Sequence, residues 1–369
     1  MCTQNDAQPK VLDVETYPTR SHGRILDLLM KRSTLRIEDI RSGREHWRWL
    51  ASAAQYEIRQ QLCRRAHDPP HLIICSGPLN VSAFMAMLPA GWDAIPRIVY
   101  FHESQWTYPS EEYDPRPFFL AHLDAVALAD EAWFNSRYHL DTFWSAATSS
   151  AAPRRVRGLA HRLRPAFEPK CKVIYPPVSI DTVTLDCQPA QPLRRLLWNA
   201  RRELDKRLDK FVQMLDTLTA AGHEFDLLVL GTGNADTRDI KPGLGPHIHG
   251  ASLPGHLEDR SAYETALSSA GIFVSTADHE FFGVSALEAA LSGVIPVLPA
   301  NLAYPETLPS AYFYDPDDNE DLARIVGYLV DRRAGVPAAH RSGAARFIPA
   351  RTVPVFDDHC LRIIADRGR

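Results

Sequence analysis

The chain has 369 residues, 45% hydrophobic and 23% charged, the balance of a globular protein long enough for two ordinary domains. No apolar run approaches the roughly 18 residues of a membrane span, and the N-terminus lacks the basic-then-apolar pattern of a secretory signal. The six cysteines form no CxxC pair, which argues against a zinc ribbon or a disulfide framework. A net charge of −4 argues against a protein that coats nucleic acid without selectivity, and the cytoplasm is the expected compartment.

In chain order, Val11–Val14 reads as a first strand, followed by turn-like residues 17–22 and a helical spacing of Ile25, Leu26, Leu28 and Leu29. His71–Ser76, Arg97–His102, Glu131–Asn135 and Lys172–Tyr175 read as buried strands, with Phe118–Ala129 helical between the second and third. A stretch rich in Pro, Thr and Gln follows and marks a linker, residues 179–193. The pattern then restarts. Arg195–Trp198, Phe225–Leu230, His247–His249, Gly271–Ser275 and Val294–Leu298 read as strands, and Lys210–Ala221, Ser261–Ser269 and Val284–Leu291 as helices. Strands alternating with helices and lacking hairpin signals predict two doubly wound α/β domains, residues 1–178 and 194–345, facing across a cleft. Residues 346–369 hold a last helix, Val355–Ala365, expected by analogy to pack back toward the N-terminal domain.

Charge is unevenly spread. Arg154, Arg155, Arg157, His161, Arg162, Arg164, Lys170 and Lys172 face only Glu168 in opposition, and a second basic stretch runs from Lys31 to Arg48. Such runs are either solvated helix faces or a patch for a polyanion.

The richest segment for chemistry runs from Ser275 to Ala290. A strand ends at Ser275, a loop carries His279 and Glu280, and a helix begins near Gly283. Unpaired amides at a helix start carry partial positive charge and suit a diphosphate, and a glycine there admits close backbone approach. Glu280 and Glu288 would then meet one ligand from two ends, as a nucleoside diphosphate sugar requires: one carboxylate for sugar hydroxyls, one for ribose hydroxyls. A helix-capping Glu and a second Glu on the polar face is the plainer reading of the same pair. Asp315-Pro316-Asp317-Asp318 contains the Asp-x-Asp of metal-dependent transferases, but it precedes an apolar helical spacing and reads as a helix cap. No metal and no cofactor is expected.

The Glu280-to-Glu288 segment resembles the Glu-x7-Glu motif of retaining GT-B glycosyltransferases. In that family the first Glu contacts the transferred sugar and the second the ribose, while an Arg and a Lys clamp the diphosphate; Arg201 and Lys206 stand at a suitable spacing. The match narrows further. Tyr100-Phe101-His102-Glu103-Ser104-Gln105, Trp133-Phe134-Asn135-Ser136, residues 169–175, His279-Glu280-Phe281-Phe282-Gly283-Val284, Tyr304-Pro305-Glu306 and Glu45-His46-Trp47-Arg48-Trp49 resemble the tRNA-queuosine alpha-mannosyltransferase family.

The resemblance implies transfer of mannose from GDP-mannose, the donor substrate, to queuosine at the wobble position of tRNA. It implies His102, Glu280, Arg201 and Lys206 as catalytic residues. Arg201, Lys206, His279, Glu280, Phe282, Gly283, Val284 and Glu288 would bind the donor, and Ser21, His22, Trp47, Arg48, His102, Glu103, Gln105, Asn135 and Ser136 the acceptor. The sequence departs from the family at three places. Thr19-Arg20-Ser21-His22 replaces Gly-Gly-Ser-His, Ala200–Lys206 loses both His and the Trp of the family's segment, and Ser104 replaces Asn. A different sugar donor, a non-RNA acceptor, a non-catalytic tRNA- or nucleotide-binding homologue and a sugar-phosphate epimerase of the same fold are the competing readings. Retention favours same-face substitution with an oxocarbenium-like transition state, because no carboxylate stands out as a nucleophile beneath the anomeric carbon.

Overall fold

The computed structural model of the chain describes residues 8–17, 20–42, 47–76, 79–107, 116–150, 152–181, 194–231, 248–332 and 339–367. Two compact units are present: Met1–Pro177 with Pro349–Arg369, and Val178–Ile348. No helix among the described residues is long and apolar enough to cross a membrane.

The first unit runs β1 (Lys10–Glu15), α1 (Arg20–Arg32), β2 (Arg36–Arg41), α2 (Trp47–Arg64), β3 (Leu72–Ser76) and α3 (Val81–Met85). It continues with β4 (Arg97–Phe101), α4 (Arg116–Leu128), β5 (Glu131–Phe134), α5 (Arg137–Thr148), α6 (Arg154–Phe167) and β6 (Cys171–Val173). The strands form a parallel sheet in the order β2-β1-β3-β4-β5-β6. Both faces are covered, which is why the strands read as continuous apolar runs. Alternate residues Leu12, Val14, Ile73, Cys75, Val99, Phe101, Ala132 and Phe134 meet the core built with α2 through α6. Their neighbours Val11, Leu72, Ile74, Ile98, Tyr100 and Trp133 meet Ile25, Leu26 and Leu29 of α1 on the other face.

The second unit runs β7 (Arg195–Asn199), α7 (Leu208–Ala220), β8 (Phe225–Leu230), β9 (Ile248–Gly255), α8 (Arg260–Ser268), β10 (Ile272–Val274) and α9 (Val284–Leu291). After these come β11 (Ile295–Pro299), α10 (Tyr304–Thr307), β12 (Tyr312–Tyr314), α11 (Asn319–Asp331) and α12 (Ala339–Ala344). The parallel sheet has the order β12-β11-β10-β7-β8-β9. Strand order reverses between β7 and β10 here, and between β1 and β3 in the first unit; ligands of doubly wound sheets bind at the carboxyl ends flanking such points. Asp318 caps α11, its Oδ1 accepting from the amides of Glu320 and Asp321 at 2.9 and 3.1 Å.

The last helix, α13 (Pro349–Arg367), belongs to the first unit. Its Val353, Phe356, Cys360 and Ile363 complete the core under α1. Asp357 fixes it there: its carboxylate accepts from the Ser33 hydroxyl at 2.5 Å, the Thr34 amide at 2.7 Å and the Thr34 hydroxyl at 2.8 Å. Of the linker read at 179–193, residues 179–181 lie in the second unit and 182–193 lie outside the described residues.

Two arginines of the second basic stretch are paired on the edge strand β2, Arg36 with Glu38 at 2.7 Å and Arg41 with Asp39 and Asp27 at 2.5 and 2.8 Å. Only Ile37 and Ile40 of that strand are buried apolar residues, so its polar pattern concealed a strand.

Replacing Asp357 by Ala strands the Thr34 amide and hydroxyl, at a cost of about 2 kcal/mol. The expected outcome is a lowered thermal transition for the first unit by calorimetry, with Asp357→Asn losing less because it keeps an acceptor.

Candidate functional site

In the second unit, the loops after β7 and β10 are joined by one ammonium. Lys206, whose side chain is 12% exposed, lies 3.2 Å from Asp205 Oδ2 and 3.4 Å from Glu280 Oε2, and its Nζ donates to the His279 carbonyl at 2.7 Å. Backbone bonds reinforce the junction, with the Asp278 amide donating to the Asp205 carbonyl at 2.8 Å and the Thr276 hydroxyl to the Lys206 carbonyl at 2.9 Å. The described residues with positive φ that are not glycine, Arg207 at 48° and Leu302 at 60°, both border this junction. Arg207 follows Lys206, and the Ala303 amide after Leu302 donates to the Glu280 carbonyl at 3.4 Å. Such conformations cost on the order of 1 kcal/mol each and collect at functional sites.

Glu280 Oε1 accepts from the amides of Gly283 and Phe282 at 3.1 and 3.4 Å. Burial pushes its pKa up, but the Lys206 ammonium, these two amides and His279 outweigh burial and hold it below the ordinary 4.5. Gly283 has φ of 85°, and a Cβ there would lie 2.8 Å from the Tyr304 ring, so the backbone conformation and the aromatic neighbour both demand glycine. The first bond of α9 runs from the Leu287 amide to the Gly283 carbonyl at 3.0 Å, leaving the amides of Val284, Ser285 and Ala286 without an intrahelical acceptor. The two amides before α9 serve Glu280, so an anion at this helix start would meet those of its first turn. His279 and Phe282 are buried at 7% and 2% exposure, their rings against Phe281 and Phe347, so what Phe282 offers a ligand is backbone. Arg201 is one-third exposed, 3.4 Å from Glu203.

Glu288 is buried. Arg260 Nη1 lies 2.9 Å from its Oε1, and the Tyr263 hydroxyl donates to its Oε2 at 2.7 Å. Neither partner stood out in the sequence: Arg260 and Tyr263 open a short helix with no motif around them.

In the first unit, His22, Tyr100 and His102 stack, with His102 ring centroids 4.6 Å from His22 and 4.2 Å from Tyr100. Burial, then His22 and His139, push the His102 pKa well below 6.5, so its imidazole is neutral at pH 7. Glu15 holds the His22 side, its Oε2 3.8 Å from His22 Nδ1 and accepting from Ser76 at 2.9 Å.

Three further acceptor candidates have partners within the fold. Asn135 donates to the His102 carbonyl at 2.8 Å and contacts His139 at 2.9 Å, so it supports His102 from behind. Ser136, with no exposed surface, caps α5 by accepting from the His139 amide at 2.9 Å. Gln105 is buried against His122 at 3.2 Å. Glu103 is half-buried and Ser21 exposed, while the side chains of Trp47 and Arg48 lie outside the described residues.

Residues 10–178 match the family model for the N-terminal part of tRNA-queuosine alpha-mannosyltransferases. The tRNA-queuosine alpha-mannosyltransferase of Drosophila melanogaster is 29% identical over 327 residues, covering 84% of each chain. The chain is thus similar to tRNA-queuosine alpha-mannosyltransferases over most of its length.

Solved structures give the fold. The sucrose-phosphate synthase of Thermosynechococcus elongatus aligns with a TM-score of 0.69 at 13% identity, over 97% of this chain and all of that one. A lipopolysaccharide outer core galactosyltransferase aligns at 0.61 with 12% identity, over 95% and 99%. TarM aligns at 0.62 with 13% identity, over 85% of this chain but 58% of its own, so this chain spans little more than half of TarM's length. The two parallel sheets are those of a GT-B fold. Ser104 is 1% exposed, and its hydroxyl has no hydrogen bond among the described residues.

Because Lys206 is the largest influence lowering the Glu280 pKa, Lys206→Ala is expected to make Glu280 titrate higher in the variant than in the parent, read by carbon NMR of labelled glutamate. The stabilisation tied to this depressed pKa is present at neutral pH and disappears as pH falls below 4.5.

Proposed function

We propose that this chain, a glycosyltransferase, transfers mannose from GDP-mannose to queuosine at the wobble position of tRNA, with retention of the alpha configuration. The observation that carries the reading is the Lys206–Glu280 junction at the strand-order reversal, followed by α9 with Glu288 on it. That arrangement supplies a cation, oriented amides and two carboxylates around the place where a nucleoside diphosphate sugar binds in such sheets. Acceptor and sugar follow from the name of the Drosophila relative.

In the proposed reaction the bond from the anomeric carbon to the diphosphate oxygen breaks as the acceptor hydroxyl bonds to the same face of that carbon. The departing phosphate oxygen takes the hydroxyl proton. Lys206, Arg201 and the α9 amides stabilise the charge that grows on the leaving diphosphate, and Glu280 orients the sugar through its hydroxyls. In the first unit the imidazole of His102 is neutral, so a substrate group that met it would meet a hydrogen-bonding ring and not a cation. With tRNA as acceptor the enzyme works in the cytoplasm.

An RNA acceptor is supported by α6. Of the basic residues read between Arg154 and Lys172, four are engaged by the protein. Arg157 donates to the carbonyls of Ser149, Ser150 and Ala152, Arg164 to Glu168, Lys170 to the carbonyls of Ala127 and Ala129, and Lys172 to that of Pro169. Arg154, Arg155, His161 and Arg162 are exposed. Spaced i, i+1, i+7 and i+8, they share one helix face that carries no acidic residue.

Nucleosides from queuosine-containing tRNA incubated with the protein and GDP-mannose should gain a hexose by mass spectrometry, and Glu280→Ala should abolish the gain. GDP-mannose hydrolysed with no added hexose would remove tRNA from the proposal. The double variant Arg155→Ala, Arg162→Ala is expected to lower the slope of log affinity for tRNA against log salt by about 2, one for each phosphate that is no longer neutralised. An unchanged slope would mean that RNA binds elsewhere.

A further inference from the structure

Glu288 has a supporting apparatus that the donor chemistry alone does not call for. Arg260 and Tyr263 stand one turn apart on α8, with the guanidinium 5.0 Å from the centre of the Tyr263 ring. Each holds a different oxygen of Glu288, at 2.9 and 2.7 Å. The Tyr263 oxygen in turn accepts from Asn199 Nδ2 at 2.9 Å, which ties it to the end of β7. Burial, with Glu288 beside it, raises the Tyr263 pKa well above the ordinary range, so the hydroxyl keeps its proton and stays a donor.

The arginine is fixed just as firmly. Its Nε donates to Glu264 Oε1 at 2.6 Å and its Nη2 to the Ser179 carbonyl at 2.8 Å, leaving Nη1 for Glu288. Glu264 has no exposed surface, and its two oxygens meet the Asp181 amide at 3.1 and 3.0 Å. Every nitrogen of the guanidinium is committed, and the planar fork makes these commitments mutually dependent.

A carboxylate has about four lone-pair directions, two on each oxygen. Because Arg260 and Tyr263 are shared one to each oxygen, the carboxylate plane is fixed with its two oxygens held alike, the geometry that receives the two hydroxyls of a vicinal diol. Without the arginine, a carboxylate buried as this one is would lose its counter-ion and would protonate or turn away.

We infer that Arg260 and Tyr263 are positioning residues of the donor site, holding Glu288 as a two-oxygen acceptor for the ribose 2′,3′-diol of the nucleotide. The inference rests on the reading of the chain as a nucleotide-sugar glycosyltransferase, but on no particular acceptor.

The test is calorimetric binding of GDP and of its deoxy form lacking both hydroxyls, 2′,3′-dideoxy-GDP, to the full chain, without tRNA, repeated with the UDP pair so that a wrong base is recognised as such. The parent should prefer the ribose form by about 10- to 100-fold, the range for a hydrogen bond to a charged group. Glu288→Ala should bind both forms equally. Arg260→Met and Tyr263→Phe should weaken the ribose form toward the deoxy form while leaving deoxy binding within about twofold, and Arg260→Lys should recover part of the preference. Tyr263→Phe removes one oxygen and keeps the ring, so it remains informative if Arg260→Met fails to fold. Equal losses for both ligands, or a full preference retained in Tyr263→Phe, overturn the inference in favour of a merely structural role. A preference that survives Glu288→Ala overturns both the ribose role of Glu288 and the inference built on it. Because transfer is never read, failure of the tRNA proposal leaves each of these outcomes intact.

Discussion

A single ammonium group organises the second unit's site. Lys206 stands among Asp205, Glu280 and the His279 carbonyl, and the loops after β7 and β10 meet through it. With both carboxylates ionised the cluster carries one net negative charge, so Lys206 by itself cannot welcome a diphosphate. In the proposed donor site the remaining positive potential comes from Arg201 and the first-turn amides of α9. The lysine thus has a local duty before it has a ligand: it keeps Glu280 ionised and ties two loops that hold strained residues, Arg207 and Leu302, at their edges.

The first unit handles its buried polar groups by the opposite device. Burial suppresses charge on His102, while Asn135, His139 and Ser136 are spent on one another, on the His102 carbonyl and on the start of α5. Motif residues here divide into those that can meet a ligand and those that hold them. A sequence motif does not separate the two, since both are equally fixed in type and spacing.

That division explains what could be read without coordinates. Strands with both faces buried announced themselves as apolar runs, and α9 was delimited at Val284–Leu291 because a glycine stands directly before its apolar run. β2 was hidden because an edge strand with four charged residues in six has no apolar run. Glu280 and Glu288 were legible together because they flank a helix start that follows a strand, and Lys206 was legible with Arg201 only through the resemblance to GT-B glycosyltransferases. Arg260 and Tyr263 were not, because their importance comes from packing beside Glu288, 28 and 25 positions away in sequence. The basic cluster was legible as charge, yet only the fold separates the arginines that hold carbonyls and Glu168 from those that face outward.

The return of α13 to the first unit has a consequence for how the chain matures on the ribosome. The α1 face of that unit's sheet stays only partly covered until Val353, Phe356, Cys360 and Ile363 have been made, whereas the described strands and helices of the second unit all precede Pro349. Domains emerging from synthesis fold as units once they are complete. The unit that begins first therefore finishes after the second, and its nascent form waits with part of an apolar face open until residues 349–367 have left the exit tunnel.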